Sequence, residues 1–196
     1  MTKNIIFDCS DTLLRLGSID YLEELVGDRA YAEDIHYRIF GSPAWHDYDC
    51  GKIDDDSLEA EILPLLTEQE QTIGKTYLEN WMNHYTIIDG IPELLQELKD
   101  KGYKLFLLSD FPPSFEKLWN SYDFFKLFDG RVISYEVGLR KRDGGLFEYL
   151  LQKYGLKAEE CVFTDDVPAI IEAGKKAGIP AFVFTDVPTL RKDLGL

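Results

Sequence analysis

Several groups able to do chemistry stand at the ends of apolar runs in this sequence. Asp8 closes NIIFD, Ser109 and Asp110 close YKLFLLSD, and Asp165 and Asp166 close CVFTDD. Lys141 lies in the polar stretch GLRKRDGG. An aspartate can attack phosphorus and form an acyl phosphate that water later hydrolyses. Neighbouring carboxylates repel one another and a dianionic phosphate, so a hard divalent cation is expected among them. Mg²⁺ suits one or two carboxylates, waters and a phosphate oxygen. A lysine adds compensating charge, and a hydroxyl with backbone N–H groups cradles phosphate oxygens. Each group alone has a plainer reading. A strand-end aspartate can cap a turn, and a lysine between Arg140 and Arg142 is ordinarily solvated surface. An acidic pair can open a helix, but two acids ending an apolar strand are costly unless neutralised.

These groups need a sheet to hold them. Residues 4–8 read as a buried parallel strand delivering Asp8 to its end. From residue 88 onward, helical and strand patterns alternate. IPELLQELKDKG is an amphipathic helix with Pro92 in its first turn and Gly102 just past its end. YKLFLLSD, RVIS, CVFTDD and PAFVFT read as strands. PSFEKLWNSY, LFEYLLQKYG and AIIEAGKKAG read as helices, and GLRKRDGG as a loop. This alternation predicts an α/β fold, a doubly wound parallel sheet with its site beyond the C-terminal strand ends. Residues 15–87 carry helical signals and no convincing strand. Ser18 and Asp28 are candidate caps, Gly41-Ser42-Pro43 breaks the pattern, and SPAWHDYDCGKIDDD reads as a loop. Residues 57–66 read as helix, and Thr67 with Glu70 forms a capping box for another helix toward Tyr85. The expected organisation is a catalytic core of residues 1–14 and 88–196 with an inserted all-helical cap of residues 15–87.

Taken together, the motifs resemble those of the haloacid dehalogenase superfamily, in its phosphatase-like branch with a helical cap after the first strand. The first motif, a strand ending in D-x-D-G-T, corresponds to Phe7-Asp8-Cys9-Ser10-Asp11-Thr12-Leu13. The second corresponds to Leu107-Leu108-Ser109, the third, commonly G-x-x-K-P, to Gly138-Leu139-Arg140-Lys141-Arg142, and the fourth to Phe163-Thr164-Asp165-Asp166. No one motif is specific, whereas four in order, each on the right element, are. The resemblance implies a Mg²⁺-dependent hydrolase of a small phosphorylated substrate, with Asp8 as nucleophile. It implies Asp8, Ser10, Ser109 and Lys141 as catalytic positions. Cys9, Ser10, Ser109, Asp110 and Lys141 would meet the substrate. Asp8, Asp165, Asp166 and the backbone carbonyl of Ser10 would hold the metal. As a thiol, Cys9 has no nearby histidine and reads as a buried structural residue. The chain departs from the family at Ser10, where phosphatases carry a general acid–base aspartate. It also departs at Asp11 for glycine, at Arg142 for proline, and at Ala169. A weakly active or regulatory member is therefore the alternative reading.

Composition narrows the partners. The 196 residues carry a net charge of −15, with a pI near 4.5, which repels nucleic acid and anionic membrane surfaces at long range. Three cysteines without metal or disulfide spacing, no signal-peptide core and no membrane-length apolar run make the cytoplasm the expected location. The oligomeric state is open.

Overall fold

The computed structural model describes residues 2–196. Its seven strands are β1 (Asn4–Phe7), β2 (Leu14–Leu16), β3 (Tyr85–Ile87), β4 (Lys104–Ser109), β5 (Gly130–Ile133), β6 (Cys161–Asp165) and β7 (Ala181–Val183). Five of them form one sheet in the order β5-β4-β1-β6-β7, and every neighbouring pair is parallel. β1 occupies the centre, with Phe7 opposite Leu107 on one side and Thr164 on the other. A strand paired along both edges and covered on both faces has no polar side, and Ile5, Ile6 and Phe7 are fully buried. Alternate residues feed two apolar layers. Ile5, Phe7, Leu105 and Leu107 pack beneath α6 (Ile91–Asp100) in one layer. Ile6, Phe106, Leu108 and Phe163 pack beneath α9 (Gly145–Tyr154) and α10 (Pro168–Lys176) in the other. This is the expected doubly wound α/β core.

The insert between β2 and β3 contains α1 (Ser18–Val26), α2 (Arg29–Phe40), α3 (Pro43–Asp49), α4 (Asp55–Ile62) and α5 (Glu68–Asn80). Asp28 caps α2 by accepting the Tyr31 N–H, and Asp54 caps α4 by accepting the Ser57 N–H. The Thr67–Glu70 capping box opens α5. Glu70 also accepts a two-point contact from Arg38 at 2.9 and 2.7 Å, tying α5 to α2. Aromatic packing continues from insert into core: the Trp45 and Trp81 rings lie 5.1 Å apart, Trp81 and Phe111 5.9 Å, and Phe111 and Phe115 5.3 Å.

Three expectations are corrected. The insert is not all-helical at its base, because β2 and β3 pair antiparallel, with Leu14 opposite Ile87 and Leu16 opposite Tyr85. Residues 42–56 are not one loop. Ser42 accepts the Trp45 N–H and Pro43 occupies the first turn, so α3 forms there. Ser18 is not a cap. It is the first residue of α1, is buried, and contacts His36 Nδ1 at 3.3 Å. A further helix, α11 (Val187–Asp193), follows β7 and is capped by Asp186. Among the described residues no helix is long and apolar enough to cross a membrane.

Candidate active site

The chain leaves β1 at Asp8 and turns at once. Leu13 and Leu14 both donate their N–H groups to the Cys9 carbonyl. Asp11 sits inside this turn at φ 50°, a left-handed conformation that aspartate tolerates better than most residues. Its carboxylate accepts the Leu16 N–H at 3.1 Å, which ties the turn to β2. This is where the family motif has glycine.

Beyond the ends of β1, β4 and β6 the polar groups converge. The Lys141 ammonium donates to Asp8 Oδ1 at 2.6 Å and to Asp165 Oδ2 at 2.6 Å. Ser109 Oγ donates to Asp8 Oδ1 at 3.0 Å. Asp8, Asp165 and Asp166 each present a carboxylate oxygen within 4.8 Å of the others'. Asp8, Ser109, Lys141 and Asp165 are all buried, yet they line a cleft of about 290 Å³ together with Ser10 and Asp166. Two second-layer bonds fix the set: Asp110 Oδ1 accepts the Lys141 N–H at 3.0 Å, and Asp165 Oδ1 accepts the Val167 N–H at 2.8 Å. Asp110 thus positions the lysine loop as well as lining the cleft.

Burial raises the Asp8 carboxyl to about 7, Lys141 opposes that rise, and Asp165 adds to it. Asp166 is raised to about 6 by burial and then by the Asp165 charge. Burial works against the Lys141 cation, but Asp165 and Asp8 outweigh it and hold the ammonium above its ordinary pKa.

The fold gathers every expected site residue here, with one correction. The Cys9 side chain is fully buried in the core, so its thiol is no substrate contact. Ser10 lines the cleft, but its hydroxyl lies 3.1 Å from the Tyr85 hydroxyl of β3, so it links the turn to the base of the insert. Sequence reasoning missed three residues. Arg140 and Arg142, read as solvated surface, both line the cleft. Asp49 of α3 is buried behind it, where burial pushes its carboxyl well above the ordinary range and Asp110 adds to the rise. The type and spacing of Arg140 and Arg142 were in plain view, while nothing local marks Asp49.

A family model described as haloacid dehalogenase-like hydrolase matches residues 2–178. The chain belongs to the haloacid dehalogenase-like hydrolases. The sesquiterpene phosphatase astK of Aspergillus oryzae is 26% identical over 149 residues, covering 76% of each chain. A flavin mononucleotide hydrolase of Arabidopsis thaliana is 22% identical over 186 residues, covering 89% of this chain and 74% of its own. Among solved structures, a HAD-like hydrolase from Porphyromonas gingivalis superposes with a TM-score of 0.75 at 20% identity, covering 99% of this chain and 98% of its own. A HAD family enzyme from Bacteroides thetaiotaomicron, solved in complex with magnesium and inorganic phosphate, gives a TM-score of 0.71 at 18% identity, with 95% and 96% covered.

The donor set fits a hard divalent cation. Three carboxylates with only oxygen ligands lie within 4.8 Å, which suits Mg²⁺ better than a softer metal. Burial is the main cause of the upward shifts of Asp8 and Asp166, and the Asp165 charge adds to both.

Proposed function

We propose that this HAD-like hydrolase cleaves a small phosphomonoester through a phosphoaspartate on Asp8. Mg²⁺ would be held by Asp8, Asp165, Asp166 and the Ser10 backbone carbonyl. The observation that carries the reading is the Lys141 ammonium, 2.6 Å from both Asp8 and Asp165, with Ser109 on the same Asp8 oxygen. Lys141 and Ser109 both engage Oδ1, which leaves Oδ2 to attack phosphorus as the bond to the leaving oxygen breaks. The lysine and the hydroxyl then lie beside the phosphoryl oxygens, where their donors stabilise the developing charge. A bound Mg²⁺ would supply the further positive charge that these carboxylates and a phosphate require. Water attacks the phosphoaspartate in the second step, releasing phosphate and restoring the Asp8 carboxylate.

A cleft of about 290 Å³ suits a phosphoryl group with a compact leaving group. The names of the relatives, a sesquiterpene phosphatase and a flavin mononucleotide hydrolase, support a small phosphorylated substrate. The cytoplasmic location stays part of this reading, in keeping with three free, buried cysteines.

One observation favours a weakly active variant of this reading. Ser10 stands where a phosphatase would carry its acid–base aspartate, and its hydroxyl is engaged by Tyr85. A positioned general acid–base contributes about 10²–10⁴-fold. A phosphomonoester screen with Mg²⁺, repeated with EDTA, tests the proposal. Turnover that EDTA and Asp8→Asn both abolish is the expected result. Turnover that survives Asp8→Asn would remove it.

A further inference from the structure

Lys141 is flanked by Arg140 and Arg142. Elsewhere in the chain, the exposed Arg15, like Arg142, forms no ion pair among the described residues. Arg131, with 20% of its side chain exposed, also has a buried nitrogen without a partner, Nη1, but is held by two carboxylates, those of Glu116 and Glu136. Arg38, at 27%, grips Glu70 through two donors. Arg140 is equally secluded at 21%, but its nearest carboxylate, Asp110 Oδ2, is 4.0 Å from Nε, beyond hydrogen-bond reach. That Nε is buried with no hydrogen-bond partner. A half-buried guanidinium with unmet donors is costly unless something supplies an acceptor. Arg140 lines the same cleft as Asp8. Arg142 lines it too, and forms no ion pair among the described residues. It stands at the position where the family motif has a proline with no charge to offer.

We infer that the substrate of this site carries a second anionic group, distinct from the phosphoryl group that Asp8 attacks, and that Arg140 and Arg142 receive it. The inference rests on the phosphomonoester reading and narrows it to one substrate class, phosphate esters bearing a further phosphate or carboxylate. Lys141 is committed to Asp8 and Asp165, so the arginines on either side of it are the cations left for a second anion. A guanidinium fork matches phosphate and carboxylate alike. His46 of α3 approaches the same place from the insert: after burial, the largest influences lowering its pKa are Arg140 and Arg142. The plain alternative is that Arg140 steadies Asp110 and that Arg142 is solvated surface. In that case neither would discriminate between ligands.

Binding of three non-hydrolysable probes to the Mg²⁺-loaded enzyme, measured by calorimetry, separates the two. Methylphosphonate offers one anionic group, methylenediphosphonate two phosphonates, and phosphonoacetate a phosphonate and a carboxylate. The wild type should bind one of the two-anion probes at least about 10-fold tighter than methylphosphonate. Whichever probe it is names the second anion. Arg140→Met and Arg142→Met should each erase most of that ratio, while Arg140→Lys keeps part of it. No preference in the wild type, or a ratio unchanged in both Met variants, overturns the subsite. Equal weakening for all three probes, with a lowered melting temperature, assigns Arg140 to structure and also overturns it. Turnover of p-nitrophenyl phosphate by the wild type is measured alongside. Turnover with a flat ratio removes the subsite alone, and an arginine-dependent ratio without turnover removes the hydrolysis alone.

Discussion

The chemistry of this protein turns on which residues share Asp8. Removing Lys141 would leave Asp8 and Asp165 facing each other without the ammonium that bridges them. Lys141→Ala should therefore lower kcat by at least about 10²–10³-fold, read in steady-state assays with circular dichroism confirming the fold. Ser10 bears on the second step. A serine can hydrogen-bond but cannot hold a proton for transfer at neutral pH, so dephosphorylation should be slow for every substrate. Ser10→Asp should speed turnover about 10-fold if the new carboxylate leaves Tyr85 and faces the cleft. Asp11 also lines the cleft, but one of its carboxylate oxygens accepts the Leu16 N–H, which gives it a structural task in the turn. Asp11→Asn keeps an acceptor oxygen and tolerates positive φ, so turnover should hold. A large loss would instead mark Asp11 as the acid–base.

At the scale of elements, the site is built at the C-terminal ends of three adjacent parallel strands, β1, β4 and β6. Their ends were legible because each is an apolar run broken by a polar residue, and because the helices between them show amphipathic spacing. What was not legible is short or local. β2 and β3 are three residues each, too few for a period of two to show. α3 carried its signals in Ser42 and Pro43, yet its seven residues mix aromatic and acidic side chains without a clear stripe. The coupling of Ser10 to Tyr85 spans 75 positions, and no local pattern reports it. The β2–β3 ribbon has a close neighbour in Gly17, whose N–H donates to the His84 carbonyl at 3.1 Å. A Cβ at Gly17 would meet that carbonyl oxygen at 2.7 Å. Gly17→Val should cost about 1–3 kcal/mol in denaturant unfolding by forcing the base of the insert apart. An unchanged midpoint would show that the ribbon yields freely.

At the scale of the molecule, insert and core share one apolar cluster and should unfold together. His36 gives that unit a pH dependence. Packed on Phe40 at 4.3 Å, it has its pKa lowered by burial to about 4. The unfolded chain takes up this proton below about 6.5 while the folded one resists until about 4, so stability falls as pH drops through that window. His36→Phe should flatten the wild-type slope there, by on the order of 2 kcal/mol once partial exposure is discounted. Identical slopes would mean that His36 titrates normally in the fold. The central claim, that Asp8 carries the phosphoryl group between two chemical steps, is tested most directly by acid-quenching the Mg²⁺-loaded enzyme during turnover of p-nitrophenyl phosphate. Intact-mass and peptide mass spectrometry would follow. The slow second step expected of Ser10 predicts an accumulated phosphoenzyme, with one added phosphoryl group on the peptide containing Asp8 and none in Asp8→Asn. Turnover with no phosphoryl group on Asp8, or with the group on another residue, would contradict the account.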